Sequence, residues 1–135
     1  MNTEIYNKIE DFLVSKLNPS YIIVFGSQAK DTARKDSDLD VAFYKEDQNI
    51  SSYETFLLAQ DLADIIKIDV DLIDLQKAST VFKAQIYSTG NVIFSKDDTL
   101  LKIHQMTALS MYAKLNEERE PILKHINESG SIYGK

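Results

Sequence analysis

Apolar residues at Ile5, Ile9, Phe12, Leu13 and Leu17 recur at helical spacing and predict an amphipathic helix over residues 3 to 17. Asn18-Pro19 ends it, because proline has no amide donor and restricts the residue before it. The period then changes. Tyr21 to Phe25 is an unbroken run of β-branched and aromatic side chains, the pattern of a buried strand. Gly26-Ser27 turns the chain into a short predicted helix over Gln28 to Ala33, followed by a polar loop from Arg34 to Ser37. From Asp38 to Tyr44 acidic and apolar residues alternate. Leu39, Val41 and Phe43 therefore share one face of a strand, and Asp38 and Asp40 the other.

After a polar connection from Lys45 to Ile50, Ser51 and Glu54 have capping-box spacing. They open a predicted helix through Phe56, Leu57, Leu62, Ala63 and Ile66. Ile68 to Leu75 alternates again, with Ile68, Val70 and Leu72 on one face and Asp69, Asp71 and Ile73 on the other. Thr80 to Thr89 reads as a helix stopped by Gly90, and Asn91 to Phe94 as a last short strand. A long helix follows from Asp97 to about Glu118, where Pro121 is expected to break or restart it. Its apolar residues form two sides, Leu101, Ala108, Tyr112 and Leu115 on one and Ile103, Met106 and Ala113 on another. A solvent-facing helix needs only one, so Met106, Met111 and Tyr112 are read as either core or interface, and the two-sided pattern favours partner or self-association.

The order αβαβαβαβα, with short links, predicts one α/β (α+β) layered domain: a mixed sheet of about four strands flanked by helices, with a long C-terminal helix. Its expected span is 1–127, comprising a core of about 20–95 and a helical part over 97–127, with a flexible tail over 128–135. A chain of 135 residues is long enough for a real core. The absence of cysteine excludes disulfides and thiolate metal sites. No apolar run approaches a membrane span, and the N-terminus shows no basic-then-apolar secretion signal, so a cytoplasmic location is expected. The net charge of -6 lacks the basic footprint of a nucleic-acid binder and favours a small-molecule or protein partner.

Asp38 and Asp40 stand about 6.6 Å apart along one strand face, close enough to share ions set roughly 3.5–4 Å apart. Such a pair by itself is more often a solvated acidic edge. Asp36, Asp38 and Asp40 also have the opening spacing of a calcium loop, but Val41 stands where that loop needs glycine and Asp47 where it needs glutamate. Gly26-Ser27 lies where a strand passes into a helix, a place suited to a phosphate, although most Gly-Ser pairs are only turns. No Walker motif is present. Together, Gly-Ser, ten residues and Asp-x-Asp have a chance expectation of about 10⁻³ over the chain. Asp71 on the following strand supplies a third acid, with Asp69 as its rival and Asp74 on the other side. Three carboxylates together would repel, and a cation resolves that conflict.

These residues, together with GSQA, SDLDVAF and VDLIDL, resemble the DNA polymerase β-like nucleotidyltransferase superfamily and its minimal nucleotidyltransferases. A closer match within that group is the MntA-like antitoxin branch, paired with a HEPN ribonuclease toxin; the resemblance covers about residues 20 to 95 well and the terminal helices only loosely. The resemblance implies ATP as substrate and two Mg²⁺ ions held by Asp38, Asp40 and Asp71, which are also its expected catalytic residues. It places the triphosphate on Gly26 and Ser27. Arg34 is a candidate further phosphate contact, against the reading of an ordinary loop arginine. In that branch AMP goes to a tyrosine hydroxyl of the toxin, which implies a hetero-oligomer with the toxin, or a homodimer when alone. Asp31 departs from the pattern, because members often have glycine near that position. A binding-only antitoxin and a transferase acting on a small molecule are the rival functions. His104 and His125 lack an acid partner at a telling spacing and are read as non-catalytic, and Tyr133 as an ordinary exposed tyrosine.

Overall fold

A computed structural model describes residues 3–26, 38–46 and 50–128, with side chains described as far as residue 117. The short helix expected over Gln28 to Ala33, the loop from Arg34 to Ser37 and the tail after Glu128 lie outside the described residues. So do Ser27, Asp31, Arg34 and Tyr133.

The first helix, α1 (Thr3–Leu17), buries Ile9, Leu13 and Leu17 along the predicted stripe. It stops at Asn18, whose left-handed φ of 50° lets its N–H reach Val14 O at 3.1 Å before Pro19 forbids continuation. Then come β1 (Tyr21–Phe25), β2 (Leu39–Tyr44), α2 (Ser52–Ile66), β3 (Val70–Asp74), α3 (Thr80–Thr89), β4 (Asn91–Ser95) and α4 (Asp98–Glu128). The capping box at α2 is present: Glu54 N–H donates to Ser51 Oγ at 3.0 Å, and Ser51 Oγ–H reaches Glu54 Oε1 at 3.4 Å.

The four strands form one mixed sheet in the order β3-β2-β1-β4. β1 runs antiparallel to both neighbours, whereas β3 is parallel to β2, as expected when a helix makes the crossover. The alternation along the strands divides the core in two. Ile22, Val24, Leu39, Val41, Phe43 and Leu72 face α1 and α2. Tyr21, Ile23, Phe25 and Ala42 face α3 and α4. All five residues of β1 are buried, as befits the strand with neighbours on both edges and helices on both faces.

Two features of the helices differ from the expectation. Gly90 ends α3 in an extended conformation, φ −76° and ψ 163°, and not as a left-handed cap. Its glycine is required by space: a Cβ there would meet the Ile23 side chain and stand 2.6 Å from Ile86 O. Second, α4 continues through Pro121 as one element to Glu128. Proline removes one donor from the ladder, and this helix tolerates the loss where the sequence pattern suggested a break. Along α4, Leu101 and Ala108 are buried, while Ile103, Met106, Leu109 and Met111 stay exposed.

Beneath α4 lies a buried aromatic cluster. Tyr21 stacks on Tyr44 with centroids 5.5 Å apart, and its hydroxyl hydrogen-bonds both Tyr87 Oη at 2.5 Å and His104 Nδ1 at 2.8 Å. Burial raises both tyrosine pKa values, and for Tyr21 the Tyr87 hydrogen bond raises it further, so both hydroxyls remain neutral. His104, packed edge-on against Tyr44, has its pKa lowered by burial and then by Lys83, partly offset by Glu46 and Asp97.

Candidate functional site

The last residue of β1 pairs with the first acid of β2: Phe25 stands opposite Asp40. Gly26 follows immediately with φ +80°, a left-handed conformation that a side chain would strain. A Cβ there would also collide with the Asp40 carboxylate and lie 3.3 Å from its Cγ. Glycine is needed at this position twice over, for backbone conformation and for the close approach of the turn to Asp40. Ser27 and Arg34, the other candidate phosphate contacts, lie outside the described residues.

On the opposite side of β2, Asp40 is the register partner of Asp71 in β3. Neighbouring strands lie about 4.8 Å apart, and equal parity puts both side chains on the face toward α3 and α4. Asp38, one residue before β2, has the same parity as Asp40 and is exposed. It is held in place by the Leu39 N–H, which donates to Asp69 O at 2.8 Å. Asp40 is half-buried and Asp71 exposed. Burial raises the Asp40 pKa from its ordinary value, and the charges of Asp71 and then Asp38 raise it further. The fold thus holds an acid where ionisation is opposed by its surroundings.

Asp69 is exposed just before β3, without a described bond to this group. Asp74 serves the fold instead, since it is buried and its Oδ1 accepts the Gln76 N–H at 3.0 Å, closing the turn after β3. Among the described residues, no group of three or more His, Cys, Asp or Glu side chains is arranged to hold a metal ion by itself. Three like charges gain by standing apart when no cation lies between them. The donor chemistry nonetheless suits Mg²⁺, which takes oxygen ligands and is commonly held by one or two carboxylates together with substrate phosphates.

Beside these acids opens a cleft of about 640 Å³, lined by Asp38 and Asp71 and walled by Thr55, Phe56, Lys77 and Phe82. Phe82, in the first turn of α3, packs edge-on against Phe25 with centroids 5.7 Å apart. Phe56, near the start of α2, is 56% exposed. Neither wall residue stands out as functional in the sequence. The one available signal is that Phe56 falls off the buried stripe of Thr55, Ala59, Leu62 and Ile66. His104 is elsewhere, bonded to Tyr21 at the far end of β1, and the side chain of His125 lies outside the described residues.

Residues 7–99 match the family model for the polymerase beta nucleotidyltransferase domain. The protein adenylyltransferase MntA of Shewanella oneidensis is 37% identical over 109 residues, covering 78% of this chain and 74% of that protein. A chain from a toxin–antitoxin crystal structure with AMP-PNP shares 31% identity at a TM-score of 0.81, covering 90% of this chain and 97% of its own. Another belongs to a complex of tri-AMPylated Shewanella oneidensis HEPN toxin with MNT antitoxin. It shares 29% identity at a TM-score of 0.78, covering 93% of this chain and 98% of its own.

Proposed function

This chain belongs to the polymerase β-type nucleotidyltransferase family, and on that premise we propose that it is an antitoxin that transfers AMP from ATP to a tyrosine hydroxyl of a HEPN ribonuclease toxin. The observation that carries the reading is the register of Asp40 against Asp71, with Gly26 closed onto Asp40 from the other side. That arrangement orders a phosphate-accepting turn, a central acid and an outer acid across three adjacent strands. The relatives described above supply the chemistry to test on it: MntA is an adenylyltransferase, and the MNT antitoxin is bound to an AMPylated HEPN toxin.

In this mechanism the phenolic oxygen of the acceptor bonds to the α-phosphorus of ATP, the bond to the bridging oxygen breaks, and pyrophosphate leaves. Asp71, the outermost acid, takes the phenolic proton. Gly26 and Ser27 give backbone and hydroxyl contacts to the triphosphate, with Arg34 as a further contact. Asp38, Asp40 and Asp71 would hold Mg²⁺, which when bound neutralises charge developing on the phosphate oxygens. The raised proton affinity of Asp40 fits that role: burial raises it most, and a cation would relieve the part that comes from Asp71 and Asp38.

The test is an incubation with ATP, Mg²⁺ and the cognate toxin, read by intact mass for adenylyl groups on the toxin. Asp38→Asn is expected to remain folded and to lose transfer; a folded variant with undiminished transfer would defeat the proposal. A binding-only antitoxin is the second reading, favoured by the lack of a three-ligand group among the described residues. It would prevail if Asp38→Asn bound the toxin and silenced it completely.

A further inference from the structure

The cleft beside Asp71 follows the whole length of β3, since Val70, Asp71, Leu72, Ile73 and Asp74 all line it. Among the described residues β3 is an edge strand, with β2 on one side only. Its hydrogen-bonding parity is fixed at both ends: Asp69 O accepts from Leu39 N–H, and Leu75 N–H donates to Phe43 O at 3.0 Å. The odd-numbered residues therefore turn their backbone groups to β2, and Val70, Leu72 and Asp74 turn theirs outward. Asp74 O is taken up by the Lys77 N–H at 3.0 Å. No hydrogen bond among the described residues takes up the outward groups of Val70 or Leu72. Leu72 is buried at the groove floor, where unpaired backbone groups are costly unless water or another chain meets them.

We infer that this groove seats an extended segment of the acceptor protein, which pairs with the open edge at Val70 and Leu72 and thereby delivers its tyrosine to Asp71. The inference rests on the transfer reading above and identifies where its acceptor binds. Strand order selects this occupant over the nucleotide. Gly26 follows β1, Asp40 lies on β2 and Asp71 on β3, so a triphosphate held at Gly26 would lie on the opposite side of the central acid from the groove. In-line displacement needs that separation, because the attacking and leaving oxygens stand on opposite faces of phosphorus. A segment added to β3 would gain backbone hydrogen bonds, with alternate side chains on the two faces. A tyrosine on the Asp71 face stands about 4.8 Å from β3, against the Phe82 wall, while its neighbours meet Phe56 on the other face.

Val70→Pro removes the outward N–H at the first residue of an edge strand, a position where proline is tolerated. It should raise the KM for toxin roughly tenfold, leaving AMP-PNP affinity within about twofold. Val70→Ala, which loses side chain but keeps the N–H, should retain most of the wild-type KM. An unchanged KM in a folded Val70→Pro variant, or an equal rise in Val70→Ala, would overturn the pairing. Hydrogen exchange on the wild-type protein decides the matter even if Val70→Pro does not fold. The Val70 and Leu72 amides should slow on adding toxin and not on adding AMP-PNP. Slowing with AMP-PNP alone would give the groove to the nucleotide, and slowing with protein concentration alone would give it to a second copy. Either result overturns the inference. Transfer without protection would remove the groove and leave the reaction standing; protection without transfer would keep the groove and remove the reaction.

Discussion

At one end of the β1–β2 ladder Phe25 faces Asp40, and at the other Tyr21 faces Tyr44. The two ends treat their polar groups in opposite ways. Around Tyr21 the hydroxyls of two buried tyrosines and a ring nitrogen of His104 form a connected chain, with Ser95 Oγ nearby as the buried polar atom left without a partner among the described residues. Around Asp40 the charges of Asp71 and Asp38 oppose its ionisation, and no cationic side chain among the described residues forms an ion pair with the three. The first arrangement serves stability. The second works against it, and charge conflict of that kind is commonly found at binding and catalytic sites.

The strongest way to break this contrast is Asp40→Asn. Transfer should fall on the order of 10²–10³-fold, as expected for losing an interaction of a few kcal/mol at the reacting phosphate. Thermal melting at neutral pH should nonetheless rise. The sign follows from the raised Asp40 pKa: the folded state binds more protons than the unfolded state from the ordinary carboxylate pKa upward, so stability falls as pH rises through that window. The gain should therefore vanish in acid, below the ordinary carboxylate range. A variant that melted lower at pH 7 would show that Asp40 supports the fold.

Tyr21→Phe tests the other end. It removes one hydroxyl and leaves Tyr87 and His104 each short of a partner, at a cost of about 1–3 kcal/mol by chemical denaturation. Transfer should stay unchanged, since Tyr21 stands at the opposite end of β1 from Gly26. Loss of transfer at full stability would mean that the two ends are coupled. The smallest expected effect concerns His104. Its lowered pKa means that the unfolded chain binds the proton more readily, so stability is lost as pH falls through the ordinary histidine pKa of about 6.5. His104→Gln should flatten the melting temperature between pH 7 and 5; an identical slope in both proteins would assign the acid sensitivity elsewhere.

The same contrast explains which features are legible in the sequence. Alternation identifies which face of each strand carries Asp40 and Asp71, because side-chain direction is a local property of the backbone. The caps at Ser51 and Ser79 lie within a few residues of the groups they bind, and only the first stands out from its spacing. The Tyr21–Tyr87–His104 chain joins residues separated by 66 and 83 positions, and no periodicity in the sequence reports such a meeting. Gly90 reads as a stop for the wrong reason, since the crowding by Ile23 that requires glycine arises only once β1 lies beside it. Pro121 misleads because its local preference is overridden in a helix already well under way. The edge of β3 is unreadable for a third reason: strand order is a property of topology, and the sequence pattern of VDLID is the same at an edge as in the interior.

The central position of β1 also has a consequence during synthesis. Tyr21–Phe25 is uncharged, free of proline and wholly buried in the finished protein, the composition of a segment prone to pair with copies of itself. One of its edges is covered by β2, which follows soon after. The other waits for β4, which begins only at Asn91. At roughly 5–20 residues per second, a ribosome leaves that edge uncovered for several seconds on every chain it makes. The nascent protein therefore passes through an interval in which β1 has one edge covered and the other open.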